Sequence, residues 1–468
     1  MNNQKIMNRG FVVLGAILIQ LALGAIYAWS VFTPTLKAEG WSSENTQWVF
    51  AVGLASFALF MVFAGKKLNS WGPRTLAWTG GIILGIGYIL GGLASESLII
   101  QLMVCGGLLG LIFGLAYDYL KKFNNSAIIG LLAGILLALF LGLKPYLGTS
   151  FSGLTLYIGV IGGAGIGFAY VVPIAVGMRW FPDKKGMITG LAVAGFGFGA
   201  MIWVKLAGSW GHLIDSFGLS NTFTFYGIAF IVMVIIGGLW MKFPPAGWKP
   251  KGYEEKSTGP AKTDAINFSS KQMLGKIQFY LIFLTFVFSA GAGLMSIGLM
   301  KLYPMDALRA NGFSVTEASA IAGTAMAVFF ALANGLGRII WGMLSDILGR
   351  KTSILIMTAT QGIIVIAFTY MAGHEYLLYL GATLIGFNFG GNFALFPTIT
   401  ADIFGAKNVG QNYPFVFLAY GVGGILGPIL GGKMGDLNNF ALAFTISGIA
   451  VLIGTILIFF VKPAKAEK

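Results

Sequence analysis

The sequence predicts an all-α polytopic membrane protein: two six-helix halves with an inserted two-helix hairpin, fourteen transmembrane helices in total. Three observations carry this. Of 468 residues only 10% are charged and 57% are hydrophobic, against about 25% and 45–50% in soluble globular chains. Apolar runs of roughly 18 residues or more, each long enough to span a bilayer, recur from Gly10 to Val461. Two pairs of glycine-bearing loops repeat at separations that differ by the length of one helical hairpin.

Breaks at charges, prolines and Asn/Asp clusters separate eight apolar segments, near 10–33, 47–65, 75–94, 98–119, 127–147, 153–178, 187–208 and 221–241. Six more follow, near 277–300, 317–343, 353–372, 376–399, 410–432 and 440–461. The first exceeds the 7–15-residue core of a secretory signal and reads as a retained helix. With the N-terminus placed inside, 23 of the 30 Lys and Arg residues fall in inner segments, among them Lys5, Arg9, Lys66, Lys67, Arg179, Arg350 and Lys351. That bias marks cytoplasmic loops, so both termini are expected in the cytoplasm and the protein in the cell membrane. Between the halves, Phe243 to Lys276 holds Pro244, Pro245, Pro250 and Pro260 with mixed charges and few aliphatics, too little apolar surface to fold alone. The expected division is 1–243, with the extra hairpin at about 98–150, then a cytoplasmic linker over 244–276, then 277–468.

The loop from Gly65 to Arg74 resembles the loop from Gly342 to Lys351; Gly72 aligns with Gly349, 277 residues apart. A second pair aligns Gly186 with Gly410 at a separation of 224. The first half therefore carries about 53 extra residues between its two loops, one helical hairpin at roughly 1.5 Å per residue. Parallel six-helix halves joined by a long linker are the layout of a secondary transporter with a site near the bilayer midplane, between the halves.

Other function classes lose their chemistry on composition. One cysteine, Cys105, and two histidines, His212 and His374, supply neither a disulfide framework nor a zinc or haem ligand set. No nucleophile or metal constellation suggests an enzyme, and no cofactor is expected. The net charge of +14 is scattered between apolar spans, so it reads as lipid attraction and orientation rather than nucleic-acid binding.

Four segments carry a family resemblance: Gly24 to Ser30, Arg179 to Gly186, Asn334 to Asp346, and Ala394 to Gly405. Through them the chain resembles the major facilitator superfamily and, within it, the oxalate/formate antiporter family and its monocarboxylate-transporter-like members. The similarity spans nearly the whole chain except the hairpin, the linker and the termini.

On the family's eighth helix, Arg338 lies about 12 Å from Asp346 along the axis. An ionisable group at that depth is costly and usually faces a cavity; snorkelling to the interface or pairing with Asp346 is the alternative. Asn334, Ala331, Ala327 and Gly323 continue a small and polar stripe, opposite bulky Val328, Phe329, Leu332 and Leu336. The resemblance implies that Arg338 binds a substrate carboxylate, a task its planar, permanently charged fork suits. It also implies that Tyr27, Tyr170, Phe389 and Phe393 shape the cavity. Where dicarboxylate exchangers of the family have a second cation, this chain has Tyr420, which favours a monocarboxylate such as lactate, pyruvate or acetate over oxalate. Ile26 beside Tyr27 and the two phenylalanines suggest a more apolar pocket.

Asp346, Gly349 and Arg350 match the superfamily's gating signature, and Asn69, Gly72 and Arg74 form its first copy with the acid replaced, so the gate is expected to be asymmetric. No Asp or Glu lies deep in the core helices, and Asn334 stands where animal monocarboxylate carriers have an acid; proton symport and exchange both stay open. Asp118 reads as a loop charge and Lys205 as a snorkelling one. The expected partners are a small carboxylate anion, protons in the symport case and the lipid bilayer, with a monomeric transport unit. An oxalate/formate-type antiporter is the alternative within transport, and a carboxylate sensor the alternative outside it.

Overall fold

The computed structural model describes residues 7–93, 150–208, 210–245, 248–250, 267–437 and 439–464. The expected hairpin, Asp118 and most of the linker lie outside these residues, so the fourteen-helix count rests on the sequence alone. Six long helices precede the linker: α1 (Arg9–Ala38), α2 (Ser43–Trp71), α3 (Pro73–Leu93), α4 (Thr155–Trp180), α5 (Lys185–Ala207) and α6 (Leu213–Gly238). Six follow it: α7 (Ile277–Leu299), α8 (Val315–Leu348), α9 (Arg350–Met371), α10 (Glu375–Phe404), α11 (Val409–Asp436) and α12 (Phe440–Phe459). Eleven of these are long and apolar enough to cross a membrane. The remaining one, α10, buries Asn388, Asn392, Thr398 and Thr400, polar residues that dilute its hydropathy.

Local chemistry sets the helix ends. Ser42 caps α2 by accepting from the Asn45 backbone, and Ser314 with Glu317 forms a reciprocal capping box at the start of α8. The turns between α2 and α3 and between α8 and α9 are built alike, with Gly72 at φ 81°, ψ 154° and Gly349 at φ 85°, ψ 152°, a region that side chains disfavour. The sequence repeat is thus also a backbone repeat. Leu59, Ile228, Ile363, Leu426 and Ile456 point outward from the bundle, an apolar perimeter suited to lipid.

The halves meet along two helix pairs, α2 with α11 and α5 with α8. Each pair closes at the linker end through glycine. A Cβ on Gly65 would lie 2.5 Å from the Gly410 carbonyl oxygen, and one on Gly186 would lie 2.5 Å from that of Gly342. These four glycines are the aligned ones: Gly65 matches Gly342 at the 277-residue offset, and Gly186 matches Gly410 at 224. Both crossings are therefore copies of one contact, made once by each half. Further along the second crossing, Gly190 sits directly on the Arg338 carbonyl.

Among the described residues four helices depart from α geometry: α1 runs as a 3-10 helix over Gly24–Val31, α4 and α8 carry π segments at Thr155–Gly162 and Ala325–Phe330, and α6 kinks at Gly218. The 3-10 and π stretches are uncommon at this length and mark places where helix register is adjusted.

Two local features add to the sequence reading. The end of the linker is ordered, because Phe268 and Met273 are buried and a capped turn of helix, Ser270–Leu274, docks on α10 and α11. The Phe268 backbone N–H donates to the Phe404 carbonyl at 2.9 Å, and Asn408 and Asn412 both donate to the Phe268 carbonyl at 3.0 Å. At the start of α6, His212 Nδ1 lies 3.5 Å from the Asp215 carboxylate.

Because Gly190 touches backbone rather than a movable side chain, Gly190→Val is expected to force α5 from α8. In a Cys105→Ser background, a cysteine at Val193 should then react with a membrane-permeant thiol reagent several-fold faster than in the Gly190 parent; an unchanged rate would show that the crossing tolerates the added bulk.

Candidate functional site

The α5–α8 crossing positions the most unusual side chain of the chain. Among the described residues Arg338 is the one charged side chain that is fully buried. It has no carboxylate partner there. Its Nε donates to Asn334 Oδ1 at 3.2 Å, one turn back on α8, and its Nη1 donates across the halves to the Val193 carbonyl of α5 at 2.9 Å. The guanidinium carbon lies 4.0 Å from the Phe393 ring centroid and 5.2 Å from that of Phe196. Each such face stabilises a desolvated cation by up to about 2 kcal/mol. Nη2 has no hydrogen-bond partner among the described residues.

The expected site residues converge around this cation. Asn334, Tyr27, Tyr170, Phe389, Phe393 and Tyr420 are all buried. Tyr27 of α1 and Tyr420 of α11 share a hydrogen bond of 2.9 Å between their hydroxyls, joining the two halves. Phe389 packs between the Tyr27 and Phe393 rings, at 5.8 and 5.3 Å. The Tyr170 ring stands perpendicular to Phe196 at 5.5 Å, and the Tyr27 and Tyr170 hydroxyls are both within electrostatic reach of Arg338.

Sequence reasoning missed several members of the same cluster. Phe57 of α2 contacts the rings of Tyr170, Phe196, Phe417 and Tyr420, making it the hub of the aromatic wall. Phe417 stacks on Tyr420 at 4.8 Å. Gln20 and Tyr413 are buried with polar atoms left unpaired. Gln20 and Tyr413 were legible in principle, since each lies seven residues from an expected site residue and so on the same helical face. Phe57, Phe196 and Phe417 carried no signal, because a buried phenylalanine looks alike in a site and in a core. Ile26 belongs elsewhere, in a small apolar crevice with Trp29, Val49, Phe50, Tyr88 and Ile158 inside the first half.

At the linker end, the residues expected to gate separate into two groups. The Asp346 carboxylate accepts from the Gly186 and Met187 backbone N–H groups at 3.2 and 3.0 Å. It thereby caps the N-terminus of α5 in the opposite half, where unpaired N–H groups and the helix dipole favour an anion. Arg350 completes the cluster, 2.6 Å from Asp346 and 3.1 Å from Asp402. In the first copy, Asn69 instead accepts from Arg179 at 3.2 Å, and Arg74 bonds the Leu239 carbonyl within its own half. Gly72 and Gly349 shape the turns that carry these residues. The symmetric glycine contacts are thus joined to an asymmetric polar one.

A search against protein families matches residues 285–468 to the model described as Major Facilitator Superfamily. The match lies in the second half of the chain, which is thus similar to the major facilitator superfamily there. The proton:xylose symporter XylE, solved bound to 6-bromo-6-deoxy-D-glucose, shares the fold at a TM-score of 0.61 with 12% identity, over 96% of this chain and 95% of that one. Among curated proteins, the uncharacterized MFS-type transporter YhjX of Escherichia coli is 25% identical over 89% of this chain and 86% of its own. The oxalate:formate antiporter of Oxalobacter formigenes is 28% identical over 65% of this chain and 68% of its own. By these comparisons the chain is similar to membrane transporters of the major facilitator class and shares their fold.

The Asp346 cap bridges the halves, so its removal should loosen the linker end. Asp346→Ala removes two backbone hydrogen bonds and one ion pair from a partly exposed position, together about 1 kcal/mol after solvent screening. A cysteine at Met187 in the Cys105→Ser background should then label roughly fivefold faster; equal labelling with and without Asp346 would remove it from the gate.

Proposed function

We propose that the protein is a secondary active transporter of small monocarboxylates, with Arg338 as the carboxylate site and the two halves rocking about it. The observation that carries this reading is the environment of Arg338: a buried guanidinium at the contact of the halves, with no acidic partner among the described residues and one N–H group unused. A carboxylate is the ligand that such a fork binds bidentately. One buried cation matches one anionic group. A second carboxylate would meet Tyr420 and the phenylalanines and remain uncompensated in a low-dielectric surrounding, which sets a monocarboxylate ahead of oxalate. Asn334 holds the guanidinium, and Tyr27, Tyr170, Phe389, Phe393 and Tyr420 enclose the ligand. We assign the gating role to Asp346, Gly349 and Arg350, with the first copy, Asn69, Gly72 and Arg74, contributing the turn but no trans-half cap. The basic bias of the linker-end segments supports a cytoplasmic linker and cytoplasmic termini in the cell membrane.

Coupling follows the same logic. Among the described residues no Asp or Glu is fully buried, which speaks against a carboxylate relay for protons. Symport then has to link the proton to the ligand itself, and exchange needs no relay. The similarity to an oxalate:formate antiporter favours a second reading, carboxylate exchange with oxalate as a ligand.

Uptake of radiolabelled lactate into proteoliposomes, with and without an inward proton gradient, tests these readings against unlabelled pyruvate, acetate, formate and oxalate. Gradient-driven uptake competed by monocarboxylates is expected. Oxalate exchanging for internal formate without lactate uptake would establish the second reading. Binding of the acid without flux would indicate a sensor. Arg338→Ala should abolish uptake in a folded protein, and wild-type rates in that variant would remove Arg338 from the site. Tyr420→Lys should move competition toward oxalate by supplying a second cation; unchanged relative oxalate competition would count against the charge-matching argument.

A further inference from the structure

The buried core holds polar atoms that carboxylate binding by Arg338 alone leaves unused. Gln20 Oε1 and Tyr413 Oη have no hydrogen-bond partner among the described residues; Tyr170 Oη and Arg338 Nη2 also lack one of good geometry, although the two side chains are close enough to interact with each other, and all four are at most 1% exposed. Buried polar atoms are paired in the great majority of cases, and leaving one unpaired costs about 1–3 kcal/mol. Orphans contributed by both halves therefore point to a ligand that completes them.

Their placement follows from helix periodicity. Gln20 precedes Tyr27 by seven residues on α1, and Tyr413 precedes Tyr420 by seven on α11, so each lies on the same face, about 10 Å nearer the linker end. The upper pair satisfies itself through the Tyr27–Tyr420 hydrogen bond. The lower pair does not. The rings of Tyr170 and Tyr413 both pack on Phe417, at 5.3 and 5.6 Å, and Tyr413 is within electrostatic reach of Arg338 and Tyr170.

The orientation of Gln20 adds chemical direction. Its Nε2 donates to the Tyr170 backbone carbonyl at 3.4 Å, and because that carbonyl accepts only, the amide oxygen is left as a free acceptor. The unpaired set is then one group that only donates, Arg338 Nη2, two hydroxyls that can donate or accept, Tyr170 and Tyr413, and one group that only accepts, Gln20 Oε1. A carboxylate offers lone pairs to the donors and nothing to the acceptor. A hydroxyl beside the carboxylate can donate to Gln20 and still accept from a tyrosine. A ketone at that position brings a lone pair against the Gln20 oxygen, and a methylene leaves it unpaired.

We propose that Gln20 and Tyr413 form a hydroxyl subsite beside Arg338, which selects 2-hydroxy monocarboxylates over their 2-oxo and unsubstituted counterparts. This rests on the reading of Arg338 as the carboxylate site. It adds two specificity residues on α1 and α11 and narrows the ligand to acids such as lactate rather than pyruvate or propionate.

The test is equilibrium binding of lactate, pyruvate and propionate to the purified full chain at neutral pH, where all three acids are ionised and only the hydroxyl can donate. Wild type is expected to bind lactate roughly tenfold more tightly than pyruvate, the scale of one hydrogen bond gained and one lone-pair clash avoided. Gln20→Met, similar in length but without the amide acceptor, should bring that ratio within about twofold. Tyr413→Phe, which keeps the ring, should lower lactate affinity relative to propionate by roughly three- to tenfold. Equal binding of lactate and pyruvate by wild type, or a ratio unmoved by Gln20→Met, overturns the subsite. If the acids bind in an Arg338-dependent way without discrimination, only the subsite fails; if none binds, the carboxylate site fails with it.

Discussion

A guanidinium in the interior of a membrane-embedded bundle must be solvated by whatever surrounds it, and here no carboxylate among the described residues does so. Arg338 is held by an amide oxygen, a backbone carbonyl and two aromatic faces. Each is weaker than an ion pair, and together they come from α5, α8 and α10. The cation therefore fixes the relative placement of helices from both halves. Two of its ligands constrain the sequence directly. Asn334 must stand one turn from Arg338, and α5 must approach closely enough for Val193 to present its carbonyl, which the contact of Gly190 with the Arg338 backbone permits. An added side chain at that glycine would remove the carbonyl from reach before altering any charge.

The same crossing carries the proposed gate. Asp346 lies two turns beyond Arg338 on α8 and caps α5 a few residues before the Gly190 contact. The proposed site and gate therefore fall on one helix pair, whereas the symmetry-related pair, α2 with α11, has the glycine contact without a carboxylate cap. The internal repeat supplies two equivalent seams, and substitution of Asn69 for the acid makes them unequal. A displacement of α5 away from α8 breaks the Val193 bond and the Asp346 cap together. Separation of α2 from α11 at the linker end breaks packing and the Lys66–Phe415 cation–π contact, with no carboxylate cap to lose.

Much of this architecture was legible in sequence because its causes are local. Hydropathy located the long helices to within a few residues for most spans, and the glycine loops gave the two-half design through their separations. Arg338 was conspicuous because a charge within an apolar run has few bland explanations. Less legible was anything decided by which apolar side chains meet. Phe57, Phe196 and Phe417 form much of the aromatic wall, yet nothing in their neighbourhoods distinguishes them from lipid-facing or packing phenylalanines. The start of α6 was set too late because Gly218, at φ 74°, allows a kinked turn to continue into the helix. The tail of the linker looked unstructured because its anchors, Asn408 and Asn412, lie more than a hundred residues away.

The aromatic wall also bears on how a ligand competes for Arg338. A carboxylate that pairs with the guanidinium replaces contacts with neutral groups by a charge-assisted fork, a stronger interaction in a low-dielectric setting. The neutral groups are not all equivalent in what their release does. Loss of the Asn334 bond is confined to α8, while loss of the Val193 bond frees α5 from α8. A ligand engaging Nη2 alone leaves both in place, and one that draws the Nη1 proton away from Val193 removes one of the two hydrogen bonds that join the halves near Arg338, the other being Tyr27 with Tyr420. On the proposed reading of Arg338, the geometry of a carboxylate on the fork, rather than its charge alone, sets whether its binding is felt at the seam that Asp346 bridges.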